Sequence, residues 1–287
     1  MGGPMSRRLL EAGHRLVVYN RTSSKAVPLA AAGATVAASL SELVARSTVI
    51  CACLDRLEAS EEVWLGPGGV RSGASAGSIA IDHGTIGPAL ARRIGIGLGE
   101  RGIEFLDAPV SGGPEGAGQG TLTIMAGGSA EAFETALPVL RAYGRTIVRM
   151  GPIGAGSLTK LVNQLLTFVH GAAAAEAIGL AERLGLDLRS LGDVLQASFG
   201  QSRMLARTLG RVLERDFEAG APLRLYGKDL RLVHELGHSA NAALPMIGAA
   251  SRVLEQAQAA GLSDQDIAAL VTLFRDRDNG SVGIRHR

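Results

Sequence analysis

A chain of 287 residues with 46% hydrophobic side chains has the length for two domains and enough apolar material for a core in each. With 3% aromatic residues and a formal net charge of +2, it has neither a base-stacking platform nor a concentrated basic face, so nucleic acid is excluded as a partner while small anions are not. Cys51 and Cys53 lie two apart in one apolar run and cannot staple distant segments, a usage that points to buried thiols in a reducing, cytoplasmic compartment. No basic and then apolar leader opens the sequence. The most apolar long stretch, 165–181, is interrupted by His170 and Glu176, so a buried helix and no membrane partner is expected.

In chain order, an amphipathic helix runs into Gly13 as its stop, and a strand follows at 15–20. Ser39-Leu40-Ser41-Glu42 has capping-box spacing for a further helix. Strands are predicted at 48–53, 78–82, 104–107, 122–126 and 146–149, with helices between them. Such alternation gives an α/β fold, a Rossmann-like doubly wound parallel sheet with helices on both faces. After Gly151 the β signal ends. Helices are expected at 155–184, 188–198, 203–215, 227–240, 245–260 and 263–275, the last opened by an N-cap within Ser263 to Asp266. The first of these would be about 45 Å long at about 1.5 Å per residue, which makes it the backbone of an all-helical second domain. The predicted domains are therefore 1–153 and 154–287.

Four segments carry candidate chemistry. Asn20-Arg21-Thr22 ends the strand at 15–20 with no acid for a ribose 2′-hydroxyl, whereas Arg21 can fork onto a 2′-phosphate, which favours NADP over NAD. Asp107-Ala108-Pro109-Val110-Ser111-Gly112-Gly113 follows a strand with small residues whose N–H groups can cradle a carboxylate. In Gly154-Ala155-Gly156-Ser157-Leu158-Thr159-Lys160, the lysine shares a helix face with Asn163 and Gln164, so a cation and two amides can meet one substrate. Lys228-Asp229-Leu230 opens a later helix.

In their order and spacing these segments resemble the β-hydroxyacid dehydrogenase family, which includes 3-hydroxyisobutyrate dehydrogenase, tartronate semialdehyde reductase and the NAD-binding domain of 6-phosphogluconate dehydrogenase. The resemblance covers practically the whole chain. It implies hydride transfer between NADP, or NAD, and a small hydroxy acid or its oxo partner. It also implies that Lys160 exchanges the proton, that Ser111, Gly112 and Gly113 hold the substrate carboxylate, and that Asn163 and Gln164 orient the substrate. Gly2, Asn20, Arg21, Thr22, Thr85 and Lys228 fall where the family contacts its cofactor. No metal is implied, and a homodimer or homotetramer is.

Several positions depart from the family pattern. Gln164 stands for an Asn, His83-Gly84 for a small or Met-Ser pair, and Asp55-Arg56 where Pro-Asp is common. The stretch 161–166, with His170, is most similar to the L-threonate dehydrogenase branch, so a four-carbon sugar acid is the favoured substrate. Gly2 matches only the third glycine of the Gly-x-Gly-x-x-Gly turn; the preceding strand and first two glycines have no counterpart, so the sequence is expected to lack its true start through truncation. A cofactor-binding scaffold without turnover is the competing reading, and imine reduction is disfavoured by the presence of Lys160. Phe199, Gln201 and Leu225 are candidates for lining the substrate side chain.

Overall fold

The computed structural model describes residues 1–220 and 222–275, so the end of the predicted second domain, 276–287, lies outside the described residues. It opens with α1 (Gly2–Glu11), which ends because Gly13, at φ +82°, turns the chain back and lets Gly13 and His14 donate to Leu10 and Leu9. There follow β1 (Val17–Val18), α2 (Val27–Ala31), β2 (Thr35–Val36), α3 (Leu40–Ala45) and β3 (Val49–Ala52). The Ser39 hydroxyl accepts from the Glu42 N–H and starts α3, as the capping-box spacing predicts. Next come α4 (Leu57–Leu65), α5 (Val70–Gly73), β4 (Ile79–Asp82), α6 (Gly87–Gly99), β5 (Glu104–Asp107), β6 (Val110–Ser111) and α7 (Gly113–Gln119). The half closes with β7 (Leu122–Gly127), α8 (Ala130–Arg141) and β8 (Gly144–Gly151). Among the described residues, five α-helices follow: α9 (Ala155–Arg183), α10 (Leu188–Gln196), α11 (Arg203–Glu214), α12 (Tyr226–Ser239) and α13 (Pro245–Ala259). A 3₁₀ stretch, Ile267–Leu273, follows them.

Strands β3, β4 and β5 are parallel neighbours, and β7 pairs β8 in parallel. The sheet is not parallel throughout: β7 runs antiparallel to β5 and β6. Strands β1 and β2 form a separate two-stranded parallel sheet, and no ladder joins them to the six-stranded one. Alternate residues of the central strands enter opposite cores, with Ile79, Ile81 and Leu106 on one face and Ala80 and Phe105 on the other. Helices cover both faces for that reason. Cys51, expected to be buried, is exposed by surface area; protein nevertheless crowds the thiol, and desolvation pushes it up to about 12.

The chain divides into two compact units, Met1–Asn163 and Gln164–Arg287, with the division inside α9. Helix α9 is long and apolar enough to cross a membrane by length and composition, but half of its most apolar window is buried in protein, consistent with the core helix expected there. The helix predicted at 263–275 needs correction. The carbonyls of Ser263 and Gln265 accept from Arg224 and Leu223, and Asp266 is extended, fully buried and gripped by Arg207 through two bonds of 2.6 Å. Helical bonds therefore begin only after Asp266, which caps the 3₁₀ turn through the Ala268 N–H.

Candidate active site

The glycine-rich loop 107–113 is fastened to the start of α9 by its own first residue. Asp107, at the end of β5 and fully buried, accepts from the Gly154 N–H at 2.7 Å and from the Ser157 N–H at 2.7 Å. Burial raises its carboxyl above the usual range, and those N–H groups oppose the rise. Glycine lets the backbones come this close: a Cβ on Gly156 would run into the carbonyls of Asp107 and Met125. One turn further along α9, the Lys160 Nζ donates to the Val110 carbonyl at 2.8 Å, and the side chain is 8% exposed. Val110 adjoins Ser111. The loop then turns through Gly112 at φ +130°, where a Cβ would crowd Leu122, and Gly113 at φ +66°. Ser111 and Gly113 are half-buried and Gly112 is exposed.

A second cluster sits at the end of β4. The fully buried Asp82 accepts from Trp64 Nε1 at 2.6 Å and from the Gly84 N–H at 2.6 Å, which fixes the turn that presents the half-buried Thr85. Beyond β1, the Asn20 side chain accepts from the Thr22 N–H at 3.0 Å, forming an Asx turn with Arg21 exposed at its tip. Helix α1 has no side-chain cap, and a Cβ on Gly2 would meet open space. Uncapped first-turn N–H groups, a guanidinium and a hydroxyl are the donor set that the phosphates of a dinucleotide need, so the residues present fit that group.

In the second unit, Gln164 Nε2 donates to Asp229 at 2.6 Å, and Lys228 Nζ lies 3.2 Å from the other carboxylate oxygen. The carboxylate accepts only, so it fixes which end of the Gln164 amide faces it. Asn163 is half-buried. Of the candidate lining residues, Phe199 and Gln201 are exposed and Leu225 is half-buried. Among the described residues no group of three or more His, Cys, Asp or Glu side chains is placed to hold a metal ion.

A Rossmann-type sheet domain, a buried lysine beside a glycine turn and a helical second unit are the parts of a nicotinamide-dependent oxidoreductase. The comparisons narrow the class. The NAD binding domain of 6-phosphogluconate dehydrogenase matches residues 1–151, and the NAD-binding domain of NADP-dependent 3-hydroxyisobutyrate dehydrogenase matches residues 154–274. The chain is 34% identical to 2-(hydroxymethyl)glutarate dehydrogenase of Eubacterium barkeri over 98% of its own length and 94% of that protein. It is also 34% identical to L-threonate dehydrogenase of Cupriavidus necator, covering 96% and 93% of the two chains. The crystal structure of 3-hydroxyisobutyrate dehydrogenase from Salmonella typhimurium superposes with a TM-score of 0.87 at 32% identity, covering 95% of each chain. The chain belongs to the β-hydroxyacid dehydrogenase family, and it is an NAD(P)-dependent enzyme of that family.

Asp107, Asp82 and Asp229 received no role from sequence reasoning, although they bond Gly154, Gly84 and Gln164, which lie in segments that did; Tyr143, bonded to His83, received none either. The signal for Asp107 was available, since it is the first residue of the glycine-rich motif and precedes Gly154 by 47 positions, a non-local cap that only the folded chain reveals. Tyr143 had no sequence signal.

Proposed function

We propose that the chain interconverts a small β-hydroxy acid and its oxo partner with NADP in preference to NAD, and that a four-carbon sugar acid such as threonate is the substrate. Lys160 is the proton carrier. In the oxidative direction its neutral amine takes the hydroxyl proton, and in the reductive direction its ammonium returns that proton to the new oxygen. When bound, the nicotinamide takes or supplies the hydride at the carbinol carbon. Ser111, Gly112 and Gly113 receive the carboxylate, which fixes the hydroxyl relative to Nζ, and Asn163 and Gln164 orient the rest of the molecule. Gly2, Asn20, Arg21, Thr22, Thr85 and Lys228 hold the cofactor, with Arg21 on the 2′-phosphate.

One observation carries this reading: a nearly buried Lys160 with Nζ 2.8 Å from the carbonyl immediately before Ser111. The relatives named for threonate and for 2-(hydroxymethyl)glutarate support a carboxylate-bearing alcohol. The test is a panel of threonate, glycerate, tartronate semialdehyde and 3-hydroxyisobutyrate, each with both cofactors, on the parent, Lys160→Ala and Arg21→Ala proteins. Expected are turnover by the parent, a loss of about 100-fold or more in kcat for Lys160→Ala, and an eroded NADP preference for Arg21→Ala. Full activity in Lys160→Ala overturns the mechanism.

A further inference from the structure

His83 ties the turn assigned to the cofactor to the loop assigned to the substrate. It lies between Asp82 and the Gly84–Thr85 turn and is 3% exposed. Its ring Nδ1 is 2.7 Å from the Ala108 carbonyl oxygen and its Nε2 is 2.9 Å from the Tyr143 hydroxyl. A carbonyl only accepts, so Nδ1 carries the proton; Nε2 is then an acceptor, and the Tyr143 hydroxyl donates to it. The two rings meet edge to face at 90°, with centroids 5.4 Å apart, and Tyr143 is itself fully buried. The backbone agrees with this geometry. The Ala108 N–H donates to the Asp82 carbonyl at 2.8 Å and the His83 N–H to the Ala52 carbonyl at 2.8 Å, so both polar groups of the Ala108 peptide end on the terminus of β4.

We propose that His83, in its neutral Nδ1–H form, is a positioning residue that sets the Ser111–Gly113 loop against the Gly84–Thr85 turn through the Ala108 carbonyl. The proposal rests on the dehydrogenase reading of those two segments. It concerns alignment, because His83 bonds protein groups on both ring nitrogens. Hydride transfer depends steeply on the separation and angle of donor and acceptor carbons, so a loop that drifts by about 1 Å costs rate before it costs affinity. Burial holds the imidazole pKa down, to about 4, which keeps the ring in the required neutral form at neutral pH.

Two substitutions separate the ring nitrogens. His83→Asn puts an amide N–H where Nδ1 stands, and His83→Gln reaches where Nε2 stands. For His83→Asn we expect kcat within about threefold of the parent. For His83→Gln we expect kcat to fall about 10- to 100-fold, with an unchanged NADPH dissociation constant and a larger primary deuterium isotope effect from substrate deuterated at the carbinol carbon. Amide hydrogen exchange at 108–113 should accelerate in His83→Gln and not in His83→Asn. A purely structural defect would lower the active fraction equally in both variants and leave the isotope effect alone, and that result overturns the proposal. If neither His83 variant folds, Tyr143→Phe, which frees Nε2 and keeps the ring, must show faster exchange at 108–113, and unchanged exchange overturns it. A parent protein inert towards every hydroxy acid sinks the functional reading instead, while the exchange comparison still decides whether His83 anchors the loop.

Discussion

Lys160 and His83 are both buried, and each bonds a backbone carbonyl far away in the chain. Lys160 reaches the Val110 carbonyl from a helix whose first turn is clamped by Asp107, so backbone geometry helps to place its amine. His83 is surrounded by neutral partners, Tyr143 and the Ala108 carbonyl, with Cys51 bonded beyond Tyr143, while the adjacent Asp82 carboxylate is turned to Trp64 and Gly84. Desolvation lowers the imidazole from 6.5 to about 4. Between those values the unfolded chain binds a proton that the folded chain refuses, so stability falls as pH drops through that window and is fully retained above it. The loss from this one group is on the order of 3 kcal/mol. Urea denaturation of the parent and His83→Asn proteins between pH 7.5 and 4.5 checks it. The parent should lose more stability than the variant, and parallel curves would refute the assignment.

At this scale the sequence showed which residue types were available but not their partners. Ser111 and Lys160 were legible because each sits in a short motif of characteristic composition, although the Lys160 partner, Val110, lies 50 positions away. His83 stood out only as a departure from the family pattern, because its two partners lie 25 and 60 positions away. Side-chain geometry at such separations is fixed by strand register, which one sequence does not display.

Among the elements, α9 is the one on which the site depends. Its first turn packs backbone to backbone against β5 and β7, with Gly156 against Asp107 and Met125 and Gly127 against the Asp107 carboxylate. A side chain at either glycine pushes the helix off the loop that Lys160 has to meet. Gly156→Val should therefore destabilise the protein by about 1–3 kcal/mol or more and lower kcat in whatever fraction folds. Gly118→Ala, in α7 where an added Cβ meets nothing within 4 Å, should be neutral or slightly stabilising. Thermal melting of the two variants decides the matter, and equal melting temperatures would contradict it. Long periodic elements such as α9, α11 and α13 were readable, whereas the two-residue strands β2 and β6 are too short to show a period. The 3₁₀ stretch after Asp266 was misread as an α-helix because the carbonyls that would start the helix are taken by residues 223 and 224, some 40 positions earlier.

For the molecule as a whole, the apolar surface of the second unit calls for a partner. Leu180, Leu184, Val194, Phe199 and Met246 are each at least 49% exposed, and burying such side chains against another copy removes apolar area from water. A dimer or tetramer is the expected solution state, and light scattering at micromolar concentration tests it; a monomer mass would overturn it.

Composition and hydrophobic period settled the class of fold, since alternating β-rich and helical runs followed by helices alone admit few arrangements, and the glycine-rich and lysine-bearing motifs were legible because each is a short run of sequence. Only the tertiary structure decided that the strands are divided between β2–β1 and a six-stranded sheet, that β7 reverses direction, and that Asp107, Asp82 and His83 bond Gly154, Gly84 and the Ala108 carbonyl. Strand order, register and long-range hydrogen bonds are properties of segments brought together by a shared core, and pairs so far apart along the chain leave no periodic trace in it.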